Sequence, residues 1–116
     1  MGQPVAWFDI TAKDSKKSYK FYGELFGWNI QHDDSMNYGM VDTGSTEGIP
    51  GGIGEAGDEG TPGIVLYVAV DNAEDSIKQA ERLGGKKEVP PYEIPGIGTM
   101  AVCKDPDGNR VGLWQR

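Results

Sequence analysis

The same order of local signals occurs twice along this chain, and that repetition limits the fold more than any single motif does. Val5-Ala6-Trp7-Phe8-Asp9-Ile10-Thr11-Ala12 alternates and is rich in β-formers, which predicts a strand. Asp14 can cap a helix in which Tyr19, Tyr22, Leu25 and Phe26 recur near helical spacing, and Gly27 can close it. Short strands are predicted next at Trp28–His32, at Tyr38–Asp42 and around Ile49–Gly54. After an acidic, glycine-rich connector at 55–63 the series restarts. Ile64–Val70 is a nearly continuous apolar strand, and Asp71 with Glu74 makes a capping-box pair. Ala73, Ile77, Ala80 and Leu83 give the buried stripe of a second helix, which Gly84-Gly85 stops. Strands at Lys87–Val89, Thr99–Lys104 and Arg110–Gln115 follow, the last two joined by a tight turn at Asp105-Pro106-Asp107-Gly108.

A shift of 57 positions brings Asp14 onto Asp71, Glu24 onto Glu81 and Gly27 onto Gly84. Each half then reads strand–helix–strand–strand–strand, module 1 over about 4–56 and module 2 over about 62–116, within one α+β domain of 116 residues. A four-stranded sheet gives one face to its helix and keeps the other. Two such curved sheets facing each other would enclose a central cavity.

Composition removes several function classes. The net charge of −7 repels phosphate backbones and argues against a nucleic-acid partner. No apolar run approaches the roughly 20 residues of a membrane span. Met1-Gly2-Gln3-Pro4 lacks the basic and apolar stretches of a signal peptide, and Ala6 breaks a myristoylation pattern. A single cysteine, Cys103, leaves no internal disulfide, so the expectation is a cytoplasmic protein with no membrane partner. One Cys and one His are also too few for an ordinary multi-Cys or multi-His zinc site.

Other candidate motifs have plainer readings. Gly52-Ile53-Gly54-Glu55-Ala56-Gly57 matches a dinucleotide fingerprint, but that chemistry needs a helix opening at the glycines, and Asp58-Glu59-Gly60-Thr61-Pro62-Gly63 follows instead. Asp105, Asp107 and Asn109 resemble the start of a calcium loop, yet Arg110 and Arg116 stand where Gly and Glu are required, so a β-turn is expected. His32 beside Asp33-Asp34 suggests a base and its orienter, but neighbours in a strand point to opposite faces. Cys103 has no evident activating base and reads as a buried thiol. Trp7 and Trp114, on strands, are candidates to line a cavity, because an indole N–H is rarely buried without a partner.

Phe21-Tyr22-Gly23-Glu24-Leu25-Phe26-Gly27-Trp28 resembles the helix ending of the vicinal oxygen chelate superfamily, also called the glyoxalase/bleomycin-resistance/dioxygenase superfamily. Asp105-Pro106-Asp107-Gly108-Asn109 resembles its turn before the final strand, and Ile94-Pro95-Gly96-Ile97-Gly98 a loop of one bacterial branch. The resemblance spans nearly the whole chain and implies two βαβββ modules around a cavity. It also implies metal ligands in the metal-dependent members, and the matching positions here are Trp7, Ile64 and Gly112. An indole, an alkyl chain and a bare backbone cannot hold a divalent cation. Glu55 lies near the remaining ligand position, and Val102 stands where ring-cleaving members carry a Tyr.

The expectation is therefore a chain of this superfamily that lacks the metal ligands, with no cofactor, no metal and no assigned catalytic residue. By strand parity, Trp7, Asp9, Ile64, Leu66, Met100, Val102, Gly112 and Trp114 would line the cavity. Phe8, Ile10, Val65, Tyr67, Val111 and Leu113 would pack under the helices. Such a cavity suits an aromatic or cationic organic ligand, bound for sequestration of a drug or metabolite, and the resemblance implies a homodimer. Two enzymatic alternatives stand beside this reading: a glyoxalase- or dioxygenase-type lyase or oxidoreductase using other ligands, and a metal-independent isomerase-like enzyme with Asp9 or Glu55 as base. A partner-binding scaffold, its cavity filled by its own side chains, is a further alternative.

Overall fold

A computed structural model describes residues 2–33, 35, 37–56 and 62–116 of the chain. The strand–helix–strand–strand–strand series occurs twice, as expected: β1 (Val5–Ala12), α1 (Ser15–Phe26), β2 (Asn29–Asp33), β3 (Tyr38–Asp42) and β4 (Gly51–Glu55), then β5 (Gly63–Ala69), α2 (Ala73–Arg82), β6 (Lys86–Ile94), β7 (Gly98–Lys104) and β8 (Arg110–Gln115). Residues Trp7–Ile64 form one compact unit, and Val65–Arg116 form another that also takes in the residues preceding Trp7. The tie at that start is the Ala69 N–H, which donates to the Pro4 carbonyl at 2.9 Å.

In the first unit, β1 runs parallel to β4, β4 pairs antiparallel with β3, and β3 antiparallel with β2. The helix starts where expected, with the Asp14 carboxylate accepting from the amides of Lys16 and Lys17. It stops at Gly27, whose φ of 70° is the left-handed conformation a glycine reaches without Cβ strain. Ile10, Ala12, Val41 and Ile53 form the core, with Phe8, Tyr19, Tyr22, Trp28 and Ile30 packed against it. Trp28 lies outside β2; its ring stacks on Tyr22 at 5.5 Å and 11° instead.

The second unit repeats this connectivity: β5 is parallel to β8, β8 antiparallel to β7, and β7 antiparallel to β6. Its core joins Val70, Ala73, Ile77, Ala101, Cys103 and Leu113, with Val68, Ala80 and Val111 against it. Two local expectations need correction here. The cap of α2 is Asn72, whose side chain accepts from the Asp75 amide at 2.9 Å, so Asp71 and Glu74 do not form a capping box. β6 also continues past Val89 through Pro90 and Pro91, because it is the outer strand of its sheet and proline's missing donor costs least there. Its pairing with β7 shifts register on both sides of Val89.

The turn before β8 is held by its own acid. Asp105 accepts from the amides of Asp107 at 2.9 Å and Asn109 at 2.8 Å, and from the Asn109 side chain at 2.9 Å. The carboxylate is thus spent on the turn, as the β-turn reading expects. These bonds, the Asn109 side chain foremost, hold its pKa below the ordinary 3.8. A lowered acid contributes stability above its unfolded pKa and loses it as pH falls through the folded value. Asp105→Asn should therefore melt below wild type at pH 7, and that gap should close as pH falls below 3.8. A gap independent of pH would remove the carboxylate charge from the account.

Candidate functional site

In the first unit, Phe8, Ile10 and Ala12 face α1, so alternation turns Trp7 and Asp9 to the other side of the sheet. The register sets Asp9 opposite Gly52, Gly52 opposite Met40, and Gly54 opposite Tyr38, placing these residues on that same side. Here the side chains form a chain of hydrogen bonds. The Trp7 indole N–H donates to the Tyr38 hydroxyl at 3.2 Å, and that hydroxyl donates to Asp9 Oδ1 at 2.6 Å. All three residues are half-buried. The short second bond lies in the range of charge-assisted O–H to carboxylate contacts.

The tyrosine reaches Asp9 only because β4 is bare beneath it. A Cβ at Gly52 would run into the Tyr38 ring and hydroxyl, and one at Gly54 would come within 3.1 Å of the ring. Sequence reasoning missed Tyr38, which it took only as the first residue of a strand. The available signal was the Gly52-x-Gly54 spacing, two glycines on one face of a strand, which marks close approach by another group.

In the second unit, Met100 lies opposite Trp114 and Val102 opposite Gly112, on the side of the sheet away from Ala101, Cys103, Leu113 and α2. Those four expected residues do share a face. The Trp114 indole N–H donates to the Ile97 carbonyl at 3.2 Å, and the Arg116 guanidinium lies 5.2 Å from its ring centre.

Ile64 and Leu66 do not join them. Leu66 pairs with Val111 on the α2 side, and Tyr67 pairs with Gly112. Ile64 is 64% exposed and Leu66 49%, whereas Val65 and Tyr67, expected under the helices, are buried on the opposite side. The cause is the cap. Because Asn72 rather than Asp71 starts α2, the repeat in this region is 58 residues, which matches Trp7 to Val65. A slip of one residue exchanges the two faces of a strand, and a run that is apolar at nearly every position offers no alternation to prevent it.

With the repeat corrected, the matching positions hold Trp7, Val65 and Gly112, none of which is a donor for a divalent cation. The space a carboxylate at 112 would need is taken by the Tyr67 ring, which a Cβ there would strike. These residues do not fit the metal that the fold's metal-dependent members use. Among the described residues no group of three or more His, Cys, Asp or Glu converges to hold one.

The remaining candidates lie elsewhere. Glu55 pairs opposite Ala12 on the α1 side, accepts from the Asn37 side chain at 3.2 Å, and shares a depression of about 320 Å³ with His32, Lys16 and Tyr19. Asp9 and Glu55 thus lie on opposite faces, and only Asp9 remains as a carboxylate of the candidate site. His32 is exposed, 5.5 Å from the Tyr19 ring, and Asp33 accepts from the amide and hydroxyl of Ser35. Asp34, and residues 57–61 of the glycine motif and connector, lie outside the described residues; residues 52–55 are strand, not the opening of a helix. Cys103 is buried, and burial first of all raises its pKa, as an inert thiol requires.

Comparison with known proteins matches this picture of two βαβββ modules. The glyoxalase-like domain model matches residues 6–114. The anthracycline biosynthesis protein DnrV of Streptomyces peucetius is 31% identical over 96% of this chain and 46% of its own length, so the chain spans about half of that relative. Among solved structures, protein BH1468 of Bacillus halodurans C-125 superposes with a TM-score of 0.74 over 100% of this chain and 96% of its own, at 12% identity. A glyoxalase/bleomycin resistance protein/dioxygenase superfamily member from Vibrio splendidus 12B01 superposes at 0.63 over 97% of each chain, at 13% identity. By fold and sequence the chain is a member of the glyoxalase/bleomycin resistance/dioxygenase superfamily. Within it, the chain belongs to the glyoxalase-like domain family.

Proposed function

We propose that this protein binds a small, flat aromatic molecule carrying a cationic or hydrogen-bond-donating group, without metal and without a cofactor. The observation that carries this reading is the first unit's sheet face away from α1, where an indole, a phenol ring and a carboxylate stand together, while among the described residues no group of three or more His, Cys, Asp or Glu converges to hold a metal. Aromatic faces supply stacking surface, and a carboxylate is an acceptor only, suited to an ammonium or hydroxyl on the ligand. The likeness to a protein of anthracycline biosynthesis supports an aromatic polycyclic ligand. We further propose sequestration as the use of that binding, in a cytoplasmic homodimer.

The test is titration of tryptophan fluorescence with an amine-bearing anthracycline. A stacked aromatic pair contributes about 0.5–1.5 kcal/mol beyond area burial, so Trp7→Leu should weaken binding by at least several-fold at little cost in melting temperature. Asp9→Asn should weaken the amine-bearing compound and leave its neutral aglycone unchanged. Unchanged affinity in both variants would remove this face from the site. Asp9, a half-buried carboxylate on the same face as an indole and a phenol, also supports a second reading, a metal-independent isomerase-like enzyme with Asp9 as base.

A further inference from the structure

We propose that the depression at the start of α1 binds a small amino acid, with the ligand's carboxylate at the helix N-terminus and its ammonium on Glu55. It lies on the α1 side of the first unit, opposite Asp9, and does not depend on the binding proposed for that other face. The two modules differ at this corner. In the second it is closed from within, because Gln115 Oε1 accepts from the amide of Ala73, the first residue of α2, at 2.9 Å. Aligning the caps Asp14 and Asn72 makes Ser15 the counterpart of Ala73, and the strand registers make Glu55 that of Gln115. Glu55 accepts instead from the Asn37 side chain at 3.2 Å, and beside it lies a depression of about 320 Å³ lined by Ser15, Lys16, Tyr19, Asn37 and Glu55.

The first module also carries polar groups here that the fold does without in the second. Ser15 is only 5% exposed, yet neither its amide nor its hydroxyl has a hydrogen-bond partner among the described residues. Tyr19 stands for the buried Ile77, and its hydroxyl is buried without a partner. Lys16 and Lys17 stand for Glu74 and Asp75, although the positive end of a helix favours acids over lysines. A donor left unsatisfied is costly, and a ligand carboxylate at this helix start would supply acceptors and offset the lysine charge. An anion alone would meet Glu55, which accepts only and so matches a cationic donor. Asp14 is committed to the cap amides. Donors and an acid within one small space suit a zwitterion.

The experiment is an amide NMR titration of the whole chain with L-alanine, and with propionate and ethylamine, each of which keeps one of its two charged groups. L-alanine should move the Ser15 and Lys16 amide signals saturably. Propionate and ethylamine should each bind about tenfold or more weakly, the scale of one hydrogen bond to a charged group. Glu55→Gln should abolish the preference for L-alanine over propionate. Tyr19→Phe should weaken L-alanine several-fold with a melting temperature at or above wild type, because a buried hydroxyl without a partner adds no stability. No saturable shift at Ser15 with L-alanine overturns the proposal. Propionate binding as tightly as L-alanine overturns it too, as does L-alanine binding unchanged in both variants. If Tyr19→Phe lowers the melting temperature, the hydroxyl is structural and Glu55→Gln decides alone.

Discussion

Adding one methyl group at position 112 should destabilise the second unit more than most surface changes could. The Tyr67 side chain is buried, and a Cβ on Gly112 would strike its ring near the Cγ end, where the ring cannot swing clear. Overpacking of this kind costs about 1–3 kcal/mol. At roughly 4–8 °C per kcal/mol for domains near this size, Gly112→Ala should melt about 5–20 °C below wild type. Gly63→Ala is the control, since a Cβ at Gly63 has nothing within 4 Å and should leave the melting temperature near wild type. Pairing Gly112→Ala with Tyr67→Val should recover part of the loss, because the two changes share one space. Wild-type stability in Gly112→Ala alone would mean that the ring yields freely. The same geometry bears on metal chemistry: Gly112→Glu cannot rebuild a site until Tyr67 has also been replaced.

The larger loss is expected at Ile53. Its side chain is 0% exposed and lies in register with Ile10 on β1 and Gly39 on β3, inside the core under α1. Truncation to alanine leaves a cavity that close-packed neighbours fill only in part, at about 2–5 kcal/mol. Ile53→Val should lose only about 0.5–1.5 kcal/mol. Urea unfolding followed by circular dichroism should show both midpoints falling in that order with the slope unchanged. A midpoint for Ile53→Ala near that of wild type would contradict the packing described for this core.

Why some of this was legible in the sequence and some was not comes down to particular residues. Asp14 and Gly27 act through their own backbone neighbours, so the bounds of α1 follow from local chemistry. The turn at Asp105 is local in the same way. At the start of α2, Asp71 and Asn72 are adjacent and both can cap, and choosing the wrong one moved the repeat by a residue and exchanged the faces of β5. Val102, Met100 and Trp114 kept their parity because β7 and β8 are anchored by that local turn. The bond from Tyr38 to Asp9 spans 29 positions and depends on pairing through β4, which no local pattern encodes. Even so, two glycines alternating in a short strand were a trace of it.

The prolines of β6 bear on how copies of this chain can associate. An outer strand with a full row of amide donors invites another chain to extend the sheet, the route by which β-rich proteins aggregate. Along β6, successive amides point to opposite edges, so one of the adjacent Pro90 and Pro91 removes a donor from the outer edge, and the irregular register around Val89 breaks the spacing an incoming strand would have to match. That covalent gap in the row of donors disfavours ladder-type growth along this margin. A homodimer of this protein is therefore expected to join through side chains rather than through a shared sheet along that edge.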